Sequence, residues 1–310
     1  MIIKRRLNLV RVLQYDRGEL PLALISGVTA WIVYRYFNGF SLPFSVAATL
    51  GGALAIFIGF RNNSAYGRWW EARKLWGAII NDSRNLGRLV LSLMDGPPGS
   101  TILDNAKIDR FERRAVRYVI AWVNALRLHL RRQEDEGLLD LHLPEEVRAD
   151  VARAHHKPNI IILLLSREVH RAQADGLLDE WGVNKLDARM NALVDSQGGC
   201  ERIKNTPLPR QYHYFTRVFL MAFILLLPFC LAHELEHKGI LWAVVPLSFL
   251  ISFVFAVIGK VGEVNEDPFE GKVTDIPISA LCNTIERDLL EMLEEEQLPA
   301  KLQPVDGYLD

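Results

Sequence analysis

Residues 218–259 read VFLMAFILLLPFCLAHELEHKGILWAVVPLSFLISFVFAVIG: an apolar run from Val218 to Ala232, a polar HELEHK, and a second apolar run from Gly239 to Gly259. A hydrocarbon core about 30 Å thick is crossed by a helix of about 20 apolar residues, so the two runs read as a pair of membrane spans joined by a short loop. Pro228 and Pro246 predict a kink in each, because a proline removes one backbone donor from the helix ladder.

Working outward, a second pair lies near the N-terminus. Leu20–Tyr34 is uncharged between Glu19 and Arg35, and a further uncharged run extends from Tyr36 to Phe60, with the span itself starting at about Leu42. The first of these is short for a span, but Trp31, Tyr34, Tyr36 and Phe37 suit an interface and Arg35 can extend to water. Lys4, Arg5, Arg6 and Arg11 precede this pair, and Arg61, Arg68, Arg73 and Lys74 follow it. Excess positive charge marks the cytoplasmic side, so both flanks are expected there, with the nearly uncharged first loop and the HELEHK loop outside. Buried helices of a large soluble protein are the alternative; four runs in two pairs weigh against it.

The chain has 310 residues, half of them apolar and about a quarter charged, with the charge concentrated between the two pairs and after the second. The net charge of −1 gives no electrostatic support for a nucleic-acid partner. Cys200, Cys230 and Cys282 are odd in number and far apart, which argues against a disulfide framework or a CxxC metal site and for reduced, structural thiols. The N-terminal stretch has neither an unbroken apolar core nor a cleavage site and reads as an amphipathic cytoplasmic lead-in.

From Arg61 to Arg217 the sequence is charged and helical by period, as in RYVIAWVNALRL from Arg117 to Leu128. Ile160–Leu165 is too short to span and reads as a buried helix start behind Pro158. A final helix is expected around Thr284–Glu296 in an acidic tail. The expected organisation is a lead-in with two spans (1–62), a helical cytoplasmic domain (63–213), two further spans (214–260) and a cytoplasmic C-terminal helix and tail (261–310).

One segment carries a family signal. In Ala55–Gly77, AIFIGFRNNSAYGRWWEARKLWG, an apolar span runs straight into an Arg/Asn/aromatic stretch, and GGCER (Gly198–Arg202), EDPF (Glu266–Phe269) and DIPISALCNTIERD (Asp275–Asp288) follow in order. This set resembles the bestrophin family, and its bacterial branch best. The resemblance implies an all-α membrane protein with four transmembrane helices and a helical cytoplasmic domain, five copies of which surround a central pore. It implies a passive, multi-pass channel for small inorganic ions, chloride by analogy with animal members, in the inner (plasma) membrane with both termini cytoplasmic. A cation-conducting member is the alternative. No enzyme activity, cofactor or nucleic-acid partner is implied, only copies of the chain, the lipid bilayer and ions.

Carried over from the family, the narrow pore neck falls on Gly52, Ile56 and Phe60, where Gly52 departs from the usual bulky apolar residue. The i, i+4, i+8 spacing places them on one helix stripe, and rings of Ile and Phe gate by dewetting. From spacing alone, a lipid-facing or helix-packing stripe accounts for Ile56 and Phe60 better. The neighbouring Gly51, Ala55 and Gly59 form a small-residue stripe suited to close packing. A cytoplasmic aperture placed by the same resemblance falls on Trp181, beside Glu180. Animal members bind Ca²⁺ through a dense acidic run; here Asp267–Lys272 is broken by Lys272, and calcium's demand for six to eight oxygens leads to an expectation of no calcium gating.

Competing chemistry is confined to His233-Glu234-Leu235-Glu236-His237, an HExxH pattern in which two histidines one turn apart hold zinc and the glutamate activates water. Lys238-Gly239 follows at once, so the segment reads as an exposed turn, with a membrane metalloprotease as the rival class. A non-conducting scaffold is a third possibility. His155-His156 reads as a solvated loop pair ahead of Pro158, and Trp69, Trp70 and Trp76 as interfacial anchors. Arg68, Arg73, Arg84, Glu71 and Asp82 read equally as an ion-attracting surface or as salt bridges.

Overall fold

The computed structural model describes residues 1–2, 18–37, 39–93 and 105–310; the basic lead-in with Lys4, Arg5, Arg6 and Arg11 lies outside them. Its elements are α1 (Glu19–Tyr36), α2 (Phe44–Ser92), α3 (Asn105–Arg131), α4 (Glu136–Asp140), α5 (Glu145–Arg153), α6 (Lys157–Ala174), α7 (Glu180–Asn205), α8 (Arg210–His237), α9 (Val244–Asn265) and α10 (Ile278–Met292), with a 3₁₀ turn at Leu241–Ala243. Among the described residues β pairing is limited to isolated bridges. The chain divides into two compact units, one of Met1–Ile3, Trp70–Thr206 and Pro268–Asp310, the other of Lys4–Trp69 and Pro207–Asp267.

The second unit is an apolar helix cluster. Helices α2, α8 and the segment Leu241–Asn265 are long and apolar enough to cross a membrane. α1, bounded by Glu19 and Arg35, is not among these three. It packs on both α8 and α9, and it does so through small side chains: Ala23, Ser26, Gly27 and Ala30 are buried. A Cβ on Gly27 would lie 3.0 Å from Ser248 Oγ and 3.3 Å from Val245 Cα, so α1 and α9 are in backbone contact there. The buried residues of α9, among them Ser248, Ser252, Ala256 and Gly259, form the matching stripe. Ser26 Oγ donates to the Leu225 carbonyl at 3.0 Å, fixing α1 on α8.

The prolines behave differently from each other. α8 continues through a buried Pro228. Pro246 sits in the first turn of α9, where no intrahelical N–H is needed, and so starts that helix rather than bending it.

The first unit is organised on α3, whose buried face runs from Phe111 to Leu130 and packs against α6, α7 and α10. Pro158 occupies the first turn of α6 and Ile161 and Leu165 are buried, as the sequence around Ile160–Leu165 leads one to expect. The C-terminal helix begins and ends earlier than the acidic stretch implies, stopping at Met292 before Glu294 turns to φ +57°. Trp76 is fully buried in this unit, a core residue and no interfacial anchor.

Candidate functional site

α2 is one unbroken helix of 49 residues, about 73 Å long at 1.5 Å per residue. Within the apolar unit, one face of it is consumed by packing: Ala47, Leu54, Ile58, Arg61 and Ala65 are buried. Their spacings of seven, four, three and four residues define the inward stripe. Gly51 lies beside it, and a Cβ there would meet Phe223 at 3.1 Å.

Gly52, Ile56 and Phe60 occupy a different face. Ile56 is 61% exposed and Phe60 69% exposed, and a Cβ on Gly52 would touch nothing within 4 Å. Ala55 and Gly59 are also exposed, so of the small-residue stripe only Gly51 packs within the chain. A cleft of about 630 Å³ opens beside Ile56 and Phe60, walled further by Arg61, Tyr212, His213 and Glu266.

The turn after Phe60 is a polar belt that the sequence shows only as flanking charge. Arg61 is 7% exposed, its Nη2 lies 2.9 Å from His213 Nδ1 and 3.6 Å from the Glu266 carboxylate. A guanidinium has only donors, so Nδ1 of His213 accepts and the ring carries its proton on Nε2. Asn62 Nδ2 donates to the Ile258 carbonyl at 2.8 Å. Arg68 Nε donates to the Glu266 carbonyl at 2.7 Å, with Nη2 3.8 Å from the Asp267 carboxylate. The Arg/Asn stretch after the span is thereby clamped to the end of α9 and the start of EDPF.

In the other unit, the remaining signature segments have equally concrete roles. A Cβ on Gly199 would come within 2.8 Å of Leu75, so GGCER marks where α7 approaches α2. Cys200 is buried there, its thiol pushed up to about 12 by burial, hence unreactive. Arg202 bonds Glu71 at 2.5 Å, Arg189 meets Asp82 at 3.4 Å, and Arg84 meets Asp288 at 2.7 Å. For Glu71, Asp82 and Arg84 the structure therefore selects the salt-bridge reading. Glu270 accepts from Lys204 at 2.7 Å, and that bond holds its carboxyl below the usual range.

Trp181 and Glu180 open α7, which Asp179 caps by accepting from Gly182 N at 2.6 Å. Trp181 is 58% exposed, with Lys185 Nζ 5.1 Å from its ring centroid.

HELEH is not a loop: His233 to His237 are the last residues of α8, with Lys238 as the cap and Gly239 at φ +71°. Helix geometry persists because the stop signal falls one residue later than the polar run suggests. His233 Nδ1 faces the Tyr34 hydroxyl at 3.5 Å. Among the described residues, the metal-competent group of three is His129, His156 and Glu201, and HELEH gathers no third ligand. Of the His155-His156 pair, His155 is exposed as expected, whereas His156 is half-buried, caps α6 and touches Glu201.

Comparison with known proteins agrees with this architecture. Over 299 residues, the chain is 36% identical to the voltage-dependent anion channel-forming protein YneE of Escherichia coli K12, covering 96% of this chain and 93% of that one. The Salmonella typhi protein of the same name is 34% identical over 293 residues, covering 94% and 91%. A crystal structure of a bacterial bestrophin homolog from Klebsiella pneumoniae, a single-residue variant, superposes with a TM-score of 0.81 at 31% identity, covering 93% of this chain and 98% of that one. Residues 11–291 match the family described as Bacterial/Fungal Bestrophin protein, and the chain belongs to that family.

Proposed function

We propose that this chain is one subunit of a pentameric, passive anion channel of the inner membrane, with Gly52, Ile56 and Phe60 of each subunit lining a hydrophobic neck. Ile56 and Phe60 carry this reading: they are 61% and 69% exposed, off the stripe of Leu54, Ile58, Arg61 and Ala65 by which α2 packs within the chain. Large apolar side chains left open at i, i+4 spacing call for a covering by lipid or by further copies of the chain. The neighbouring exposed Ala55 and Gly59 suit close approach of a second α2. The relatives at 34% and 36% identity bear the name anion channel-forming protein, which supports the ion and the reaction class.

In this arrangement α1 is a fourth span, both termini are cytoplasmic, and HELEHK faces outward. The neck closes by dewetting, since the Ile56 and Phe60 rings, five side chains each, offer permeating ions no replacement for their hydration shell. Widening at the Gly52 level leaves Ile56 and Phe60 as the constriction. At the cytoplasmic end, Trp181 and Glu180 form a second aperture. Chloride flux from loaded vesicles, compared between the native chain and Ile56→Ala/Phe60→Ala, tests the neck: faster efflux from the variant is expected, and equal efflux removes these residues from the gate.

A further inference from the structure

Three side chains from three different helices converge in the unit built on α3. His129 lies near the end of α3, His156 caps α6 and Glu201 belongs to α7. His156 Nε2 is 3.0 Å and His129 Nε2 4.0 Å from the same oxygen, Glu201 Oε1. The imidazole rings are tilted by 40° with centroids 4.4 Å apart, and one ligand atom from each of the three lies within 4.8 Å of the others. A tetrahedral zinc ion with bonds near 2.1 Å requires ligand atoms about 3.4 Å apart. The observed separations bracket that value, so small side-chain rotations complete the set.

From this geometry we infer that His129, His156 and Glu201 form a binding site for a divalent transition cation of the zinc type, which ties α3, α6 and α7 together. Two imidazoles and one carboxylate match that class and mismatch calcium or magnesium, which favour all-oxygen shells. The fourth position opens to a cleft of about 550 Å³ lined by His129 and Glu201.

The site is also supported from behind, as ligand sets are. Gln197, 3% exposed, donates from Nε2 to Glu201 Oε1 at 2.8 Å and to Asn159 Oδ1 at 2.6 Å. Its Oε1 accepts from Trp122 Nε1 at 3.2 Å. Asn159 in turn donates its backbone N–H to His156 Nδ1 at 3.4 Å. Two of the three ligands thus hang on one buried network.

That capping bond also fixes the empty-site tautomer: Nδ1 accepts, so Nε2 carries the proton and donates it to Glu201. The cation takes the place of that proton, which moves to Nδ1 at the cost of the long 3.4 Å capping bond. Lys204, which shares the cleft wall, is engaged by Glu270 at 2.7 Å.

Titration of the purified, chelator-treated full chain with Zn²⁺ by calorimetry, and with Co²⁺ by visible absorption, tests the site. One ion per chain is expected, with a Co²⁺ d–d band typical of four- or five-coordination and no competition from millimolar Mg²⁺. Glu201→Gln and His129→Ala should each weaken Zn²⁺ at least tenfold, while His233→Ala/His237→Ala in the HELEH segment leaves affinity unchanged. Binding that is absent, that survives both ligand variants, or that is lost with the HELEH variant overturns the assignment. If His129→Ala does not fold, the Co²⁺ spectrum of the native chain and the isosteric Glu201→Gln still decide.

Discussion

Gly262 of α9 lies directly against Asn62 of α2: a Cβ at 262 would come within 2.0 Å of Asn62 Oδ1 and 3.4 Å of its Cα, while Asn62 Nδ2 donates to Ile258 one turn earlier. The clamp just after the proposed neck therefore exists only because residue 262 has no side chain. Gly262→Ala should displace the amide and break the Ile258 bond, costing about 1–3 kcal/mol. Thermal unfolding in detergent measures this. Asn62→Ala should suppress most of the extra cost in the double variant, whereas simple additivity would show that the two residues are not coupled.

Arg61 is the second test of the belt. It is buried against His213 and Glu266, and Arg61→Ala leaves the largely buried Glu266 carboxylate without this partner. Removing one member of a buried ion pair costs about 3 kcal/mol or more. A melting temperature unchanged within error for Arg61→Ala would mean that the guanidinium contributes nothing to holding α2 on α8.

Acid lability should trace partly to His142. Burial, helped by the repulsion of Arg117, pushes its pKa down to about 4, and neither ring nitrogen has a hydrogen-bond partner. Above about pH 7 the ring is neutral folded and unfolded, so it affects nothing. As pH falls from 6.5 to 4 the unfolded chain takes up a proton that the native state refuses, and stability drops by about 3 kcal/mol in total. Glu286, 3.4 Å away and raised by its own burial, gains protons in the native state and offsets part of this loss. His142→Gln should therefore flatten the decline in melting temperature between pH 7 and pH 5; parallel curves would contradict the assignment.

Close approach of α7 to α2 gives a further expectation. Gly199→Ala places a methyl 2.8 Å from Leu75, and overpacking of this kind costs about 1–3 kcal/mol. Leu75→Ala in the same chain should recover part of that cost, as read by chemical or thermal unfolding.

The apolar runs around Val218–Gly259 and Tyr36–Phe60 are readable because span length and lack of charge act locally, residue by residue. So is the helix over Arg117–Leu128, whose 3.6-residue period is local. The spacing of Gly52, Ile56 and Phe60 places them on one stripe, but that this stripe is open, while Leu54, Ile58 and Arg61 are buried, depends on where α8 and α9 pack. Trp76 reads as an anchor from its neighbours Trp69 and Trp70 because aromatic residues serve cores and interfaces alike. HELEH reads as a turn because polarity is a weak helix breaker; the actual stop is Gly239 at positive φ. His129, His156 and Glu201 are invisible to motif reading, since they sit 27 and 45 residues apart on three helices and only tertiary packing gathers them.

The most direct measurement is current across a planar bilayer containing the purified protein under a chloride gradient. Current that reverses near the chloride equilibrium potential is the expected result. Reversal near the cation potential, or silence despite verified insertion, would contradict an anion channel built on this chain.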